Sequence, residues 1–424
     1  MKTQSQKEIK LGLGENWQQF SLLVIINAFV GGMIGLERTL LPQLAEQEFG
    51  LVAKSALLSF IVVFGLTKAI TNYFTGALAN KLGRKRLLVY GWLFGLPVPL
   101  ILMFAPSWNW IVFANVLLGI NQGLAWSSTV VMKIDLVGEK NRGLAMGINE
   151  FAGYISIAAV AFLTGWMAKE YGLRPYPFVI GIIFALLGLI GSIFLIKDTA
   201  SHVKKEVKTT TQLRLRNIFW DTTFAHPNLG AVTQAGLVNN LNDGMVWGLL
   251  PILLANKGFS LPHIGLLVAT YPAVWGMGQL FTGILADKYC KKTLLFYGMF
   301  FQGIAIIMFP LATTFFHFMA IAIVLGLGTA VVYPTFLAAI ASETHPEQRA
   351  GSMGVFRFWR DSGYAVGALL TGILADGLGI YHAILVVGGL TILSSLIIQF
   401  RMYCPKKALP NTQKLMINLQ ASCF

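Results

Sequence analysis

Apolar runs follow one another along almost the whole chain, each long enough to cross a hydrocarbon layer of roughly 30 Å at 1.5 Å per residue. They read 17–44, 55–79, 87–104, 111–137, 144–168 and 178–196, then 226–256, 262–286, 293–314, 317–341, 351–376 and 381–400. Polar residues between them are confined to short turns, except at 197–223, KDTASHVKKEVKTTTQLRLRNIFWDTT. Backbone groups in lipid must be hydrogen-bonded within their own segment, so each run predicts a helix. The expected fold class is all-α: a polytopic membrane protein of twelve transmembrane helices arranged as two six-helix bundles.

An internal repeat supports the division into halves. FTGALANKLGRKRLLVYG at 74–91 recurs as FTGILADKYCKKTLLFYG at 281–298, with 11 of 18 positions identical at an offset of 207 and no gap. The same offset carries Gly119 onto Gly326, Arg142 onto Arg349, and Met146-Gly147 onto Met353-Gly354. Two halves inserted in the same orientation are parallel repeats about an axis along the membrane normal. The expected domains are a first half at 1–196, a cytosolic linker at 197–223, a second half at 224–402 and a cytosolic tail at 403–424.

Composition agrees: 55% of residues are hydrophobic and 12% charged, against about 25% charged in soluble domains. The first apolar run is too long for a cleaved leader and lacks a small-residue cleavage site, so it is expected to be retained. A net charge of +14 would suggest nucleic acid in a soluble protein. Here 23 Lys and Arg fall on one side of the expected topology and four on the other. That is the positive-inside bias, with both termini cytosolic in an inner or plasma membrane. No nucleic-acid partner is expected. Cys290, Cys404 and Cys423 all fall on the cytosolic side, so no disulfide is expected. No His spacing suits a metal, no Walker motif occurs, and no nucleophile–base cluster appears, so no cofactor and no enzymatic activity are expected.

The basic turn carries a more specific resemblance. Gly76-x-Leu-Ala-Asn80-Lys-x-Gly83-Arg84-Lys85 resembles the G-x-L-a-D-r-x-G-r-k signature of the major facilitator superfamily, echoed between spans eight and nine. The resemblance covers essentially the whole chain. It implies a monomeric secondary transporter, in which the two halves rock about a central site lined by spans one, four, seven and ten. Asn80 stands where the signature is acidic, while Asp287 keeps the acid in the second copy, where Cys290 replaces a Gly. Asn115, four residues before Gly119, stands where the family often has an Arg, and 153–165 lacks the Gly-Pro pair of drug/proton antiporters. These departures count against drug export and against proton coupling by the usual residues.

Charges inside spans cost at least ~2.5 kcal/mol on insertion scales and mark functional candidates. Gln122, Trp126, Thr129 and Lys133 form one stripe of span four. Trp126 is expected to offer a stacking surface and Gln122 an orienting hydrogen bond, whereas Lys133 is expected to reach the cytosolic interface. Arg38, Arg360 and Trp247 complete the expected substrate-binding set. Asp243 among the amides of span seven, Glu37 and Asp361 are candidates for proton coupling; for Asp243 the alternative is a structural pair with Arg38 or Arg360. Arg357 and Asp361, four residues apart, could pair with each other. The competing expectation is a Lys68–Asp361 pair that forms in one access state, leaving Arg360 for an anionic group. Arg357, Glu150, Asn80, Arg84 and Asp287 join these as candidates for gating between halves, with Arg84, Lys85 and Arg86 locking the halves together or binding anionic lipid.

The expected function is thus secondary active transport of a small anionic or zwitterionic solute by alternating access, with proton coupling as one option. A wet chamber between the halves is expected to receive the embedded charges. A proton-driven multidrug or metabolite efflux pump and, more remotely, a membrane sensor or assembly partner stay open as alternatives.

Overall fold

The computed structural model describes residues 9–38, 40–51, 59–138, 141–207 and 212–404. Helix α1 is Trp17–Arg38, continued by Leu40–Gln47. Helix α2 is Ser59–Leu82, and α3 is Arg84–Gly95, continued by Pro97–Phe104 where Pro97 lacks the N–H needed to carry the ladder on. Then come α4 Trp108–Val137, α5 Arg142–Tyr171 and α6 Val179–Phe194. A linker helix, Ala200–Val207, leads to the second half. That half holds α7 Pro227–Asn256, α8 Leu261–Lys288, α9 Lys291–Met308, α10 Phe315–Glu343, α11 Pro346–Leu378 and α12 Ile380–Arg401.

Nine of the described helices are apolar and long enough to cross a bilayer on composition alone. The other three long helices are α4, α7 and α11, of 30, 30 and 33 residues, and they carry the embedded amides and charges. Their polarity is compatible with a membrane because protein covers it: Asn121, Gln122, Asn239, Asn242 and Asp243 are fully buried.

Two seams join the halves, α2 against α11 and α5 against α8. Both close through glycine. A Cβ on Gly76 would lie 2.5 Å from the carbonyl oxygen of Ala350, and one on Gly143 would lie 2.2 Å from that of Gly283. Gly76 and Gly283 are repeat equivalents, so the seams are two copies of one backbone contact that a side chain would prevent. Both lie at the face bearing the basic turns, which is therefore shut.

The expected wet chamber is not open in this structure. The embedded charges do project between the halves, but Gln122, Trp126, Lys68, Asp243 and Arg360 are each at most 6% exposed. What space remains includes two voids of about 10 Å³, each enough for one water. One is bordered by Asn72, Ser127 and Arg357, the other by Glu37, Arg38 and Asn115. The tight seams and the aromatic rings described below account for the closure.

A second correction concerns cysteine. Cys290 and Cys404 are disulfide-bonded, with Cα atoms 5.9 Å apart. The packing of α9 against α12 brings the end of the chain's last helix alongside the second basic turn, a proximity that spacing does not reveal. Cys423 lies outside the described residues.

Candidate functional site

Asp361 on α11 is the hub of the buried cluster. It accepts hydrogen bonds from Asn72 of α2, from Asn240 of α7 at 3.0 Å and from its neighbour Arg360 at 3.2 Å. Lys68 of α2 places its Nζ 3.6 Å away. Arg357 does not turn back to Asp361 within its own helix; it donates across the halves to Ser127 at 2.9 Å and, more weakly, to Tyr333 of its own half at 3.5 Å. Ser127 in turn donates to Asn72. A continuous polar chain therefore crosses the α2–α11 seam.

Arg360 lies with its guanidinium carbon 4.0 Å from the centre of the Tyr333 ring. Its Nη1 is used on Asp361. Its Nε and Nη2 are buried with no hydrogen-bond partner among the described residues. Rings surround it. Tyr154 of α5 and Trp275 of α8 have centroids 3.7 Å apart, Trp126 lies 5.6 Å from Tyr154, and Tyr271 lies 5.7 Å from Trp275. Lys68 sits between the Trp126 and Tyr364 rings, 5.7 and 5.6 Å from their centres.

The other candidates are more dispersed. Trp126 donates to Glu150 at 3.2 Å, and Asn149 donates to the same oxygen at 2.5 Å, so Glu150 is fully buried rather than interfacial. Lys133 does not reach the basic face: it is fully buried and bonds Asn149. Gln122 points away from the centre, donating to the Val30 carbonyl of α1 at 2.8 Å. Asp243 has neither Arg38 nor Arg360 as a hydrogen-bond donor among the described residues; Tyr271 donates to it at 2.5 Å, and its other oxygen has no partner. Asn239 and Asn242 turn instead towards Gln302 of α9. Glu37 accepts a bond from Asn115 at 3.3 Å, while Arg38 stacks 4.1 Å over Trp247, joining α1 to α7 at the face opposite the basic turns.

The central layer thus holds four cations (Lys68, Lys133, Arg357, Arg360) and three carboxylates (Glu150, Asp243, Asp361) among the described residues. One positive charge is left unbalanced in a region where unpaired charge is costly.

At the basic face, Arg84 corrects an expectation. It bonds Asp135 at 3.1 Å and the Ala79 carbonyl at 3.2 Å, both in its own half, so it braces that half rather than locking the two together. The contacts across the halves come from its neighbours in the motif. Asp287 accepts bonds from the backbone N–H groups of Gly143 and Leu144, at 2.9 and 3.2 Å, capping the start of α5. Its repeat equivalent Asn80 donates to the Glu347 carbonyl at 2.8 Å, at the start of α11. An Asp here can donate nothing to that carbonyl and sets its charge against the carbonyl oxygen, and a hydrogen bond is worth about 0.5–1.5 kcal/mol net. Asn80→Asp should therefore disfavour closure of the basic face about 2- to 13-fold, and speed thiol labelling of Ser352→Cys in a background free of native cysteines. Slower labelling would show that a charge at the start of α11 outweighs the lost bond.

Sequence reasoning missed Glu206. From the linker helix it accepts two bonds from Arg349, both at 2.9 Å, and one from Arg142. The two arginines were visible as repeat equivalents; no signal marks Glu206 itself. It also missed Tyr154, Tyr271, Trp275 and Tyr333. The 207 offset gives one hint, since Tyr154 stands where the second half has Asp361.

Twelve helices in two repeat-related bundles, with charges buried between them and seams of glycine, define a two-domain membrane carrier. The sequence profile of the Major Facilitator Superfamily matches residues 20–234 and again 232–416; the chain belongs to that family. It is 26% identical over 392 residues to the multidrug resistance protein MdtG of Escherichia coli O1:K1 / APEC, covering 90% of this chain and 93% of that one. It is 30% identical over 188 residues to an uncharacterized MFS-type transporter of Methanocaldococcus jannaschii, a match spanning 43% of this chain and 44% of that protein. In structure it is similar to the human organic anion transporter MFSD10 (TETRAN), with a TM-score of 0.74 at 15% identity, over 91% of this chain and 99% of that one. The last likeness concerns the fold.

Proposed function

We propose that this transporter moves a small organic anion across the cytoplasmic membrane by alternating access, as a secondary carrier. The basic face is cytosolic, both termini lie on that side, and the halves meet at the linker 197–223. The observation that carries the reading is Arg360: a buried guanidinium with two unpartnered N–H groups, in a layer holding one cation more than carboxylates. An anion entering between the halves would satisfy both. Lys68, Asp361 and Arg357 form the gate across the α2–α11 seam, Glu150 adjoins it through Trp126, and Arg38 with Trp247 closes the opposite side. Asp243 and Glu37 are the carboxylates proposed to exchange protons, each having at most one hydrogen-bond donor here. The carrier acts as a monomer, with the basic turns against anionic lipid.

Similarity to MdtG along most of the chain supports a second reading, export of structurally unrelated drugs. One assay separates the two. Right-side-out vesicles are given labelled organic anions and lipophilic cations, with and without an imposed pH gradient. Gradient-dependent movement of anions, abolished by Arg360→Gln, is the expected result. Movement of cations alone would overturn the anion reading in favour of drug export.

A further inference from the structure

We infer that the solute is a flat aromatic monocarboxylate, bound bidentately on the Nε–Nη2 edge of Arg360 with its ring between Tyr154 and Trp275; this rests on the anion reading above.

The geometry of Arg360 narrows the ligand. Nε and Nη2 lie on one edge of the planar guanidinium and point their N–H groups in parallel, the spacing that a single carboxylate fills with its two oxygens. These are the two nitrogens without partners. The remaining nitrogen is held by Asp361 at 3.2 Å and one face is covered by Tyr333 at 4.0 Å. The side chain is thus held at one nitrogen and on one face, with the N–H groups of the Nε–Nη2 edge unpartnered. That edge takes one carboxylate and no more, because the two oxygens of a single carboxylate use both of its N–H groups, so one carboxylate per solute suffices.

The rings set its shape. Tyr154 and Trp275 come from different halves and lie with centroids 3.7 Å apart, too close to admit anything as they stand. Trp126 flanks Tyr154 and Tyr333 flanks Trp275, the latter at 6.1 Å. When the halves part, the slot between Tyr154 and Trp275 has two parallel-leaning walls, 34° from coplanar, one from each half. A flat ring can bridge such a slot by offset stacking on both walls, whereas a puckered aliphatic ring cannot. A solute gripped by a wall from each half is bound while they close and released when they separate.

The test uses the purified full-length protein and four probes: 1-naphthoate, cyclohexanecarboxylate, 1-naphthamide and 1-naphthylmethylammonium. Binding is read as thermal stabilisation over a concentration series, because a ligand of the native state raises the melting temperature by mass action. We expect 1-naphthoate to stabilise the protein, cyclohexanecarboxylate to bind at least 10-fold more weakly, and the amide and ammonium not to bind. Arg360→Lys, which keeps the charge but loses the edge, should weaken 1-naphthoate by 10-fold or more; Trp275→Leu should weaken it while leaving cyclohexanecarboxylate unchanged. Equal binding of the two carboxylates, both lost in Arg360→Lys, would overturn the aromatic inference and leave the anion reading standing. Binding of the ammonium alone would overturn both. Stabilisation by 1-naphthoate that is unaltered in Arg360→Lys would remove Arg360 as the anchor. The probe series on the unsubstituted protein decides the ring question even if the variants fold poorly.

Discussion

Replacing Asp361 by Asn should abolish transport and lower the melting temperature of the purified protein by more than any other single substitution in the central layer. Every neighbour of this carboxylate is a donor: Asn72, Asn240, Arg360 and Lys68. An amide can present one oxygen to them but must aim its own N–H₂ at the rest, and it leaves Lys68 and Arg360 without a counter-charge. Breaking one partner out of a buried ionic cluster costs about 3–5 kcal/mol, equivalent to a fall of roughly two to almost four orders of magnitude in the population of the correctly packed state. The change should appear in both vesicle uptake and thermal unfolding at matched expression. Exchanging the charges, Lys68→Asp with Asp361→Lys, keeps an ion pair across the α2–α11 seam and should regain a measurable part of the transport lost by each single. If the exchange regains none, the contact between Lys68 and Asp361 is incidental to the transport cycle.

The helices and their repeat are legible in the sequence because lipid forces them. A backbone in hydrocarbon must be helical, and basic residues must stay in water, so spans and turns follow from composition alone. The embedded charges could be identified for the same reason, each being costly enough to stand out. Their partners could not. Arg84 stood out in the basic turn, but that it meets Asp135 inside one half depends on how α2, α3 and α4 pack. The span-four stripe fails for a related reason. From Ala125 to Val137 every residue of α4 is buried, so helical periodicity has no solvent face to refer to and cannot say which side looks to the centre. Gln122 therefore faces α1 while Trp126, four residues on, faces the rings. Tyr271, Trp275 and Tyr333 left no mark, because a Tyr or Trp costs little in a membrane; Trp126 and Trp247 stood out only through their polar neighbours.

Asymmetry between the halves is the more informative departure. Repeat-equivalent positions hold Tyr154 and Asp361, Glu150 and Arg357, Asn72 and Gln279. Asn72 bonds Asp361 across its seam, whereas Gln279, fully buried, has no hydrogen-bond partner among the described residues. The α2–α11 seam is thus held by ions and amides, and the α5–α8 seam by stacked rings. Two seams of different chemistry need not yield together. The ionic one responds to a change in charge at the centre, such as the arrival of an anion or a proton, while the aromatic one responds to shape.

Removing the charge of Glu206 should open the basic face. Arg142 and Arg349 are repeat equivalents, one at the start of each half's fifth span, and the carboxylate of the linker helix lies between them. With Glu206→Gln the two guanidinium groups lose their common counter-ion and face each other. Hydrogen bonds to charged groups are worth about 1.5–3 kcal/mol, so the closed state should lose roughly 10- to 150-fold in population relative to the open one. Spin labels on Lys81→Cys and Lys288→Cys, repeat equivalents exposed on the two basic turns, would report this as a longer distance absent from the unsubstituted latch. An unchanged distance distribution would show that the glycine seams alone keep this face shut. The pH dependence has a definite sign. Burial pushes the Glu206 carboxyl up, but the bonds and charge of Arg349 and then Arg142 outweigh it and hold the group below its ordinary value. A carboxylate lowered in the latched state contributes fully above its released value, and the contribution disappears as pH falls through the latched one. The latch is therefore constant across neutral pH. Any change in transport between pH 6 and 8 should persist in Glu206→Gln, and its disappearance there would mean that the latch itself senses protons.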